Sequence, residues 1–369
     1  MIAIMKKRIA LILVFLLSLC MIQTMAEAAA IGARVVEIDE YGHAHLDITK
    51  ADFTRAGFNL GDIVTVTCGD YIGDMPVFSG YYADRENCIL RVNPYKDALS
   101  LCINYGNFSE MTGIGVGDAV TIAMKEKYGA MATQELYGLS YSDDRADFAS
   151  DAVFANFRSV AEGKLYRSAS PIDNKAKRAH YADRLIQEAG VQTVMNMANT
   201  PETIAALIAA EDFDSPYYRN LFEAGKVFAL KMSVDFASEA FAADIVKGFS
   251  FLAEGDMPYL VHCLEGKDRT GFAIVVLEAL MGWNEKRIVG DYMQTYTNYY
   301  GIEPGTKKYD MTSEKNITEM LYIIAGLESG TSLVEIDLKT AAETYLLNNG
   351  MDKEALKLLE AKLTSEHTR

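Results

Sequence analysis

A chain of 369 residues, half of them apolar, carries enough material for two domain cores, which excludes a disordered or low-complexity protein. Its 51 acidic residues against 35 basic ones leave a formal charge of −16. A surface of that sign opposes generic binding to nucleic acid or anionic lipid, so any affinity for phosphate has to come from a local site.

Residues 1–28 read as a secretory signal peptide. Lys6, Lys7 and Arg8 precede an apolar stretch from Ile9 to about Ile22, and small residues follow at Ala26, Ala28 and Ala30. A retained anchor needs a longer span of about 20 apolar residues, and Leu19 is too bulky for the position before a lipidated Cys20. Loss of the three basic residues and Glu27 takes the formal charge from −16 to −18. The expectation is a secreted, periplasmic or cell-surface protein with no stable membrane insertion after cleavage. An oxidising compartment favours a disulfide among Cys68, Cys88 and Cys102, with the connectivity open, whereas a reactive Cys263 has to stay unpaired.

From 31 to 131 the text is β-like: "ARVVEID", "DIVTVTC", "MPVFSGYY" and "CILRVN" alternate between Gly, Asp and Asn turn signals, which predicts a small β-barrel or sandwich. "VVEIDEYGHAHLDIT", "GDIVTV", "PVFSGYY" and "INYGNFSEMTGIGVGDAVTI" resemble the C-terminal β-domain of the S-adenosylmethionine hydrolase (hydroxide adenosyltransferase) family. His43 stands at that family's turn asparagine and the separate catalytic domain is absent, so the resemblance implies an accessory role without the adenosylmethionine chemistry. Residues 132–150, "ATQELYGLSYSDDRADFAS", are polar and mixed and read as a linker.

From 151 to 369 the period changes. Helix-like segments such as "NKAKRAHYADRLIQEAG" and "TPETIAALIAAEDF" alternate with the short apolar runs "VQTVMNM", "KVFALKMS" and "PYLVH". This predicts an α/β domain, a parallel sheet flanked by helices. The run from Ser332 to Leu363 is apolar at helical spacing and predicts two further helices on that core.

The chemistry concentrates in "LVHCLEGKDRTG", Leu260 to Gly271. An apolar strand ends at His262 and an apolar helix opens at Gly271, so the segment between them is a strand-to-helix turn whose backbone N–H groups and helix dipole attract an anion. That field would favour the thiolate of Cys263. Arg269, six positions on, can grip two phosphate oxygens, Gly266 permits the tight turn, and Thr270 can set a hydroxyl near the sulfur. Cys-x5-Arg alone is a weak signal; with His262, Gly266, Thr270 and Gly271 around it the string is specific.

"HCLEGKDRTG" resembles the Cys-based tyrosine phosphatases, and among them the bacterial tyrosine/serine or dual-specificity lipid-phosphatase branch with an "HCxxGKDRTG" loop. "NFRSVAEGKLYRSASP" from Asn156 and "EKRIVGDYMQTYTNYYG" from Glu285 match further segments of that branch, over about 150 to 330. Ser159 replaces its usual aspartate. The resemblance implies Cys263 as nucleophile, Arg269 as phosphate ligand, and the amides of Leu264, Glu265, Gly266, Lys267, Asp268 and Arg269 as the cradle, with a phosphocysteine intermediate and neither metal nor other cofactor. Asp268, inside the loop, and Asp235, 28 residues before the cysteine, compete as general acid. Lys267 goes with acceptance of phosphoinositides or is a solvated lysine. His262 is expected to fix the loop through its backbone, and Arg167 to contact Asp268 or a neighbouring loop, or to serve as a cap or surface residue.

The expected partner is a phosphorylated protein or small phosphate ester. Alternatives are a phytase-like inositol-polyphosphate phosphatase, which the acidic surface disfavours, and an inactive phosphoprotein-binding module, which the intact Cys263 and Arg269 disfavour. Rhodanese-like loops seldom combine the histidine, the lysine and the Arg-Thr-Gly ending. A nucleotide-binding loop would need another glycine upstream of Gly266 at the strand end, and adjacent His262 and Cys263 point apart, which disfavours zinc. The tyrosines of "GDYMQTYTNYYG" are either helix packing or a substrate platform.

Overall fold

A computed structural model describes residues 29–94 and 96–365; the signal peptide expected over residues 1–28 lies outside the described residues. Among these residues no helix is long and apolar enough to cross a membrane. The chain forms two units that divide between Leu139 and Ser140.

The first unit is a closed barrel of β1 (Ala30–Ile38), β2 (Ala44–Leu46), β3 (Ile63–Cys68), β4 (Tyr71–Phe78), β5 (Cys88–Val92), β6 (Leu99–Ile103) and β7 (Ala119–Glu126). Around the barrel the order is β1-β2-β6-β5-β4-β3-β7, and β7 pairs back with β1. Closure leaves no sheet edge to protect, which suits strands this short. In "IVTVTC" the alternate residues Val64, Val66 and Cys68 are buried and join Val35, Met75, Leu101 and Ile122 in one core. Buried Asp62 accepts the backbone N–H of Asn59 and of Tyr128 and pairs with Lys127 Nζ at 2.9 Å, so the polar group inside the wall is satisfied.

The disulfide expected in this unit does not form: Cys68, Cys88 and Cys102 are free. Cys88 lies across from Ile103 and Cys102 across from Ile89, so alternation puts the two sulfurs on opposite faces of the β5–β6 ribbon. Cys68 stands on β3, and β4 separates it from β5.

The second unit is built on a sheet of β8 (Arg158–Ala161), β9 (Leu165–Ser168), β10 (Thr193–Asn196), β11 (Val227–Ala229) and β12 (Tyr259–His262), in the order β11-β10-β12-β9-β8. Its inner pairings are parallel and β8 pairs antiparallel with β9. One face carries Val194, Leu260 and Tyr166, packed with Ile186, Tyr218 and Leu221 from the helices Ala179–Glu188 and Pro216–Glu223. The next residue along β10, Met195, points the other way, into the helix Glu239–Glu254 at Gly248. A Cβ on Gly248 would lie 2.2 Å from the Met195 methyl. The C-terminal run forms the two helices expected, Leu338–Asn348 and Lys353–Thr364. Lys362 on the second donates to the carbonyls of Ala253 and Gly255 at the end of Glu239–Glu254.

Central β12 is buried along its length and ends at His262. A turn of Cys263 to Lys267 leads into the helix Asp268–Leu280, buried from Thr270 through Leu280. The carboxyl end of a central parallel strand is where open α/β sheets hold ligands.

Candidate active site

The turn after β12 is held by its carbonyls. The carbonyl of Cys263 faces His262 Nδ1 at 3.1 Å, and that of Leu264 accepts from Ser170 N at 2.9 Å. Glu265 O accepts from Tyr299 Oη at 2.9 Å, and Gly266 O from Arg167 Nη2 at 2.9 Å and Asn156 Nδ2 at 3.1 Å. In a trans peptide the N–H points opposite to the preceding carbonyl. Pulling four carbonyls outward therefore turns the N–H groups of Leu264, Glu265, Gly266 and Lys267 to the other side of the loop. Those N–H groups find no partner among the described residues. The amides of Asp268 and Arg269 join them as the open first turn of a helix.

Gly266 is what allows this path. Its φ is +69°, and a Cβ would lie 2.3 Å from Ser168 O and 2.7 Å from Ala169 N, both backbone atoms. The loop rests directly on the end of β9, and only glycine fits between them.

Cys263 is buried. Arg269 turns Nη1 to the carbonyls of Met197, at 2.8 Å, and Met232, at 3.1 Å, which fixes the plane of its guanidinium beside the loop. Its Nε is buried without a partner among the described residues, and so is the hydroxyl of Thr270. Unpaired buried donors of this kind carry a desolvation cost of about 1–3 kcal/mol each. A tetrahedral oxyanion would relieve that cost.

His262 is fully buried, and burial pushes its imidazole down to about 4, so it is neutral. A carbonyl only accepts, so the bond to Cys263 O assigns the proton to Nδ1. Nε2 then accepts from Tyr218 Oη at 3.3 Å, and Tyr218 accepts from Asn196 Nδ2 at 2.8 Å. This chain of bonds anchors the start of the loop and leaves the ring no free nitrogen for proton transfer.

The side chain of Asp268 is 41 % exposed, and protein packed around the remainder raises its carboxyl, with Glu265 adding to the effect and Lys267 and Arg269 opposing it. Asp235 lies on the segment after β11. Met232 O ties that segment to Arg269, and the Phe236 ring, stacked on Phe272 at 5.4 Å, ties it to the helix Asp268–Leu280. Lys267 is engaged by Glu265 at 3.3 Å, Tyr300 Oη at 3.2 Å and Asp268 at 3.8 Å. Burial opposes its charge, but Asp268 and Glu265 hold it well above the usual lysine value.

Arg167 meets the loop rather than Asp268: it spans from Gly266 O to Asp291 Oδ2, 2.6 Å away. Arg158 closes the same carboxylate from the other side at 2.7 Å. Burial alone would raise Asp291, but the two guanidinium groups outweigh it and hold the carboxyl well below its usual range. The sequence reading missed Asn156, Ser170, Tyr299 and Asp291 as supports of the loop. All four lie inside the quoted segments "NFRSVAEGKLYRSASP" and "GDYMQTYTNYYG", so the signal was present without its geometry. It also missed Tyr141, from the stretch read as linker, whose hydroxyl donates to Glu265 at 2.8 Å. Of the two roles considered for the tyrosines of the helix Glu285–Tyr300, packing accounts for most of them. Tyr292, Tyr296 and Tyr299 are buried, while Tyr300 stands beside Lys267.

The profile of the tyrosine phosphatase family matches residues 151–365. A Cupriavidus necator protein that bears the name tyrosine-protein phosphatase is 32% identical over 163 residues, covering 38% of this chain and 56% of the relative, so the chain spans little more than half of that protein's length. Among solved structures, the core catalytic domain of the PP-IP phosphatase SIW14 from S. cerevisiae is similar at TM-score 0.29 and 18% identity, over 52% of this chain and 94% of that one. P. aeruginosa TpbA is similar at TM-score 0.28 and 17% identity, over 50% and 94%.

Proposed function

We propose, from the premise that this chain belongs to the tyrosine phosphatase family, that it hydrolyses phosphate monoesters through a phosphocysteine on Cys263, with phosphotyrosine the first substrate and phosphoserine, phosphothreonine or phosphoinositides behind it. The observation that carries this reading is the set of inward amides with the Arg269 Nε and Thr270 hydroxyl, unpartnered among the described residues, all gathered where Cys263 follows the central strand.

In the first step the Cys263 sulfur, as thiolate, attacks phosphorus and the ester P–O bond breaks. Asp268 gives its proton to the departing oxygen, a role that suits a carboxyl whose hold on its proton is raised by its surroundings. The equatorial oxygens gain charge as this happens, and the amides of Leu264 to Arg269 with the Arg269 guanidinium would take up that charge. In the second step water attacks phosphorus, the S–P bond breaks, Asp268 takes the proton of the water, and the Thr270 hydroxyl steadies the leaving sulfur. Residues 1–30, basic then apolar then small, support export as part of the same proposal.

The test is turnover of a phosphotyrosine peptide, a phosphoserine peptide and a phosphoinositide in reductant by the protein and by Cys263→Ser. The serine variant should lose activity on all three. Persistence of wild-type rates in that variant would remove the nucleophile from the scheme.

A further inference from the structure

Glu265 is a carboxylate inside an anion-binding turn, and no step above uses its side chain. Its Oε1 accepts from Tyr141 Oη at 2.8 Å and its Oε2 lies 3.3 Å from Lys267 Nζ. Tyr141 is itself fixed: it stacks on Tyr299 at 4.7 Å, meets Tyr300 edge-on at 5.6 Å, and lies under the buried Arg178 guanidinium at 4.8 Å. The pair is largely sheltered, with Lys267 18% and Glu265 28% exposed. Burial pulls the Glu265 carboxyl upward, but Lys267 and the Tyr141 bond outweigh it and keep the group ionised.

We infer that Glu265 is a specificity-determining residue, which cancels the charge of Lys267 and biases this phosphatase towards substrates with one isolated phosphate over those that cluster phosphates on a small scaffold. The inference rests on the phosphatase reading above. One phosphate needs only the ring of amides and Arg269. A second phosphate on a neighbouring carbon would sit at the rim and need a free cation there. Lys267, the lysine of the loop itself, is already bound to Glu265 and to Tyr300, and Glu265 offers the incoming group a negative charge. Several ångströms away, at a dielectric between protein and water, each unit of that repulsion is worth about a fivefold loss of affinity. The −16 of the whole chain works in the same direction.

The experiment measures competitive inhibition of monophosphotyrosyl-peptide turnover by inositol hexakisphosphate and by inorganic phosphate, in the wild type and in Glu265→Gln. Glutamine keeps an acceptor for Tyr141 and drops the charge. The hexakisphosphate Ki should fall about tenfold more than the phosphate Ki in the variant. Equal changes in the two constants overturn the inference and leave the phosphatase reading standing, whereas a wild type that never turns over the peptide overturns that reading first. Should the variant fail to fold, the wild type decides. Raising salt from about 0.05 to 0.5 M should tighten hexakisphosphate relative to phosphate as repulsion is screened, and a relative weakening, the mark of a free attracting lysine, overturns the inference.

Discussion

Replacing Gly266 by alanine tests the geometry of the loop most directly. The new methyl would lie 2.3 Å from Ser168 O and 2.7 Å from Ala169 N, and neither backbone atom can swing aside. Carbon needs about 3.5 Å from such neighbours, so the turn would have to withdraw by about 1 Å. That withdrawal stretches the bonds from Arg167 and Asn156 to Gly266 O, now 2.9 and 3.1 Å, beyond hydrogen-bonding distance. Losing them, one charged and one neutral, costs about 2–4 kcal/mol, and the positive φ adds about 1 kcal/mol. The total expected loss of stability is therefore about 3–5 kcal/mol. A shift of that size in the anion cradle should also lower kcat/KM about a hundredfold. Gly282 supplies the control: its φ is +75° and no heavy atom lies within 4 Å of a Cβ built there. Gly282→Ala should cost only the backbone part, about 1 kcal/mol, with turnover unchanged. Urea unfolding and hydrolysis of 4-nitrophenyl phosphate measure both effects. If Gly266→Ala stays within about threefold of wild-type turnover and loses no more stability than Gly282→Ala, the account of the loop resting on β9 is wrong.

The acid should reveal itself by leaving group: Asp268→Asn is expected to slow alkyl phosphates by about 10²–10⁴ and 4-nitrophenyl phosphate far less, and to remove the alkaline fall of the pH profile, where this raised carboxyl loses its proton. If Asp235→Asn shows that pattern instead, the roles exchange. His262 is held down to about 4 from 6.5, so the unfolded chain binds the extra proton between those values and stability drops on acidification through that window. The fall should approach about 3 kcal/mol and be missing in His262→Asn when melts are run against pH. Asp183 is the opposite case: buried against the amides of Tyr217 and Tyr218, it is raised to about 6 from 3.8, so its contribution is lost as pH rises between those values. Melting temperatures of Asp183→Asn should therefore gain on the wild type from pH 4 to pH 6. Alkylation of the unfolded protein without reductant should modify Cys68, Cys88, Cys102 and Cys263 together, and a residual bonded pair, seen by mass spectrometry, would contradict the free thiols of the barrel.

Several features were legible in the sequence because they are contiguous. A strand, a turn and a helix within Tyr259 to Leu280 need only local periods and one glycine to be recognised, and the spacing of Cys263 and Arg269 follows from that turn. The alternation of β3 likewise marked a half-buried strand. The disulfide expectation failed because it counted cysteines without a register. Whether Cys88 and Cys102 share a face depends on the pairing of Cys88 with Ile103, which no composition contains.

The amino-acid order alone determined that a sulfur and a guanidinium would flank a strand-to-helix turn, since covalent spacing and helical period fix that much. Only the tertiary structure decided which way the peptide units of the turn face. Carbonyls are turned outward by Asn156, Arg167, Ser170 and Tyr299, residues about 90 to 110 positions before the loop or about 35 after it. The same is true of the Glu265–Lys267 pairing under Tyr141. Hydrogen bonds of this kind form only after the sheet has set its neighbours, because the entropy of bringing distant segments together has to be met first by burial of the core.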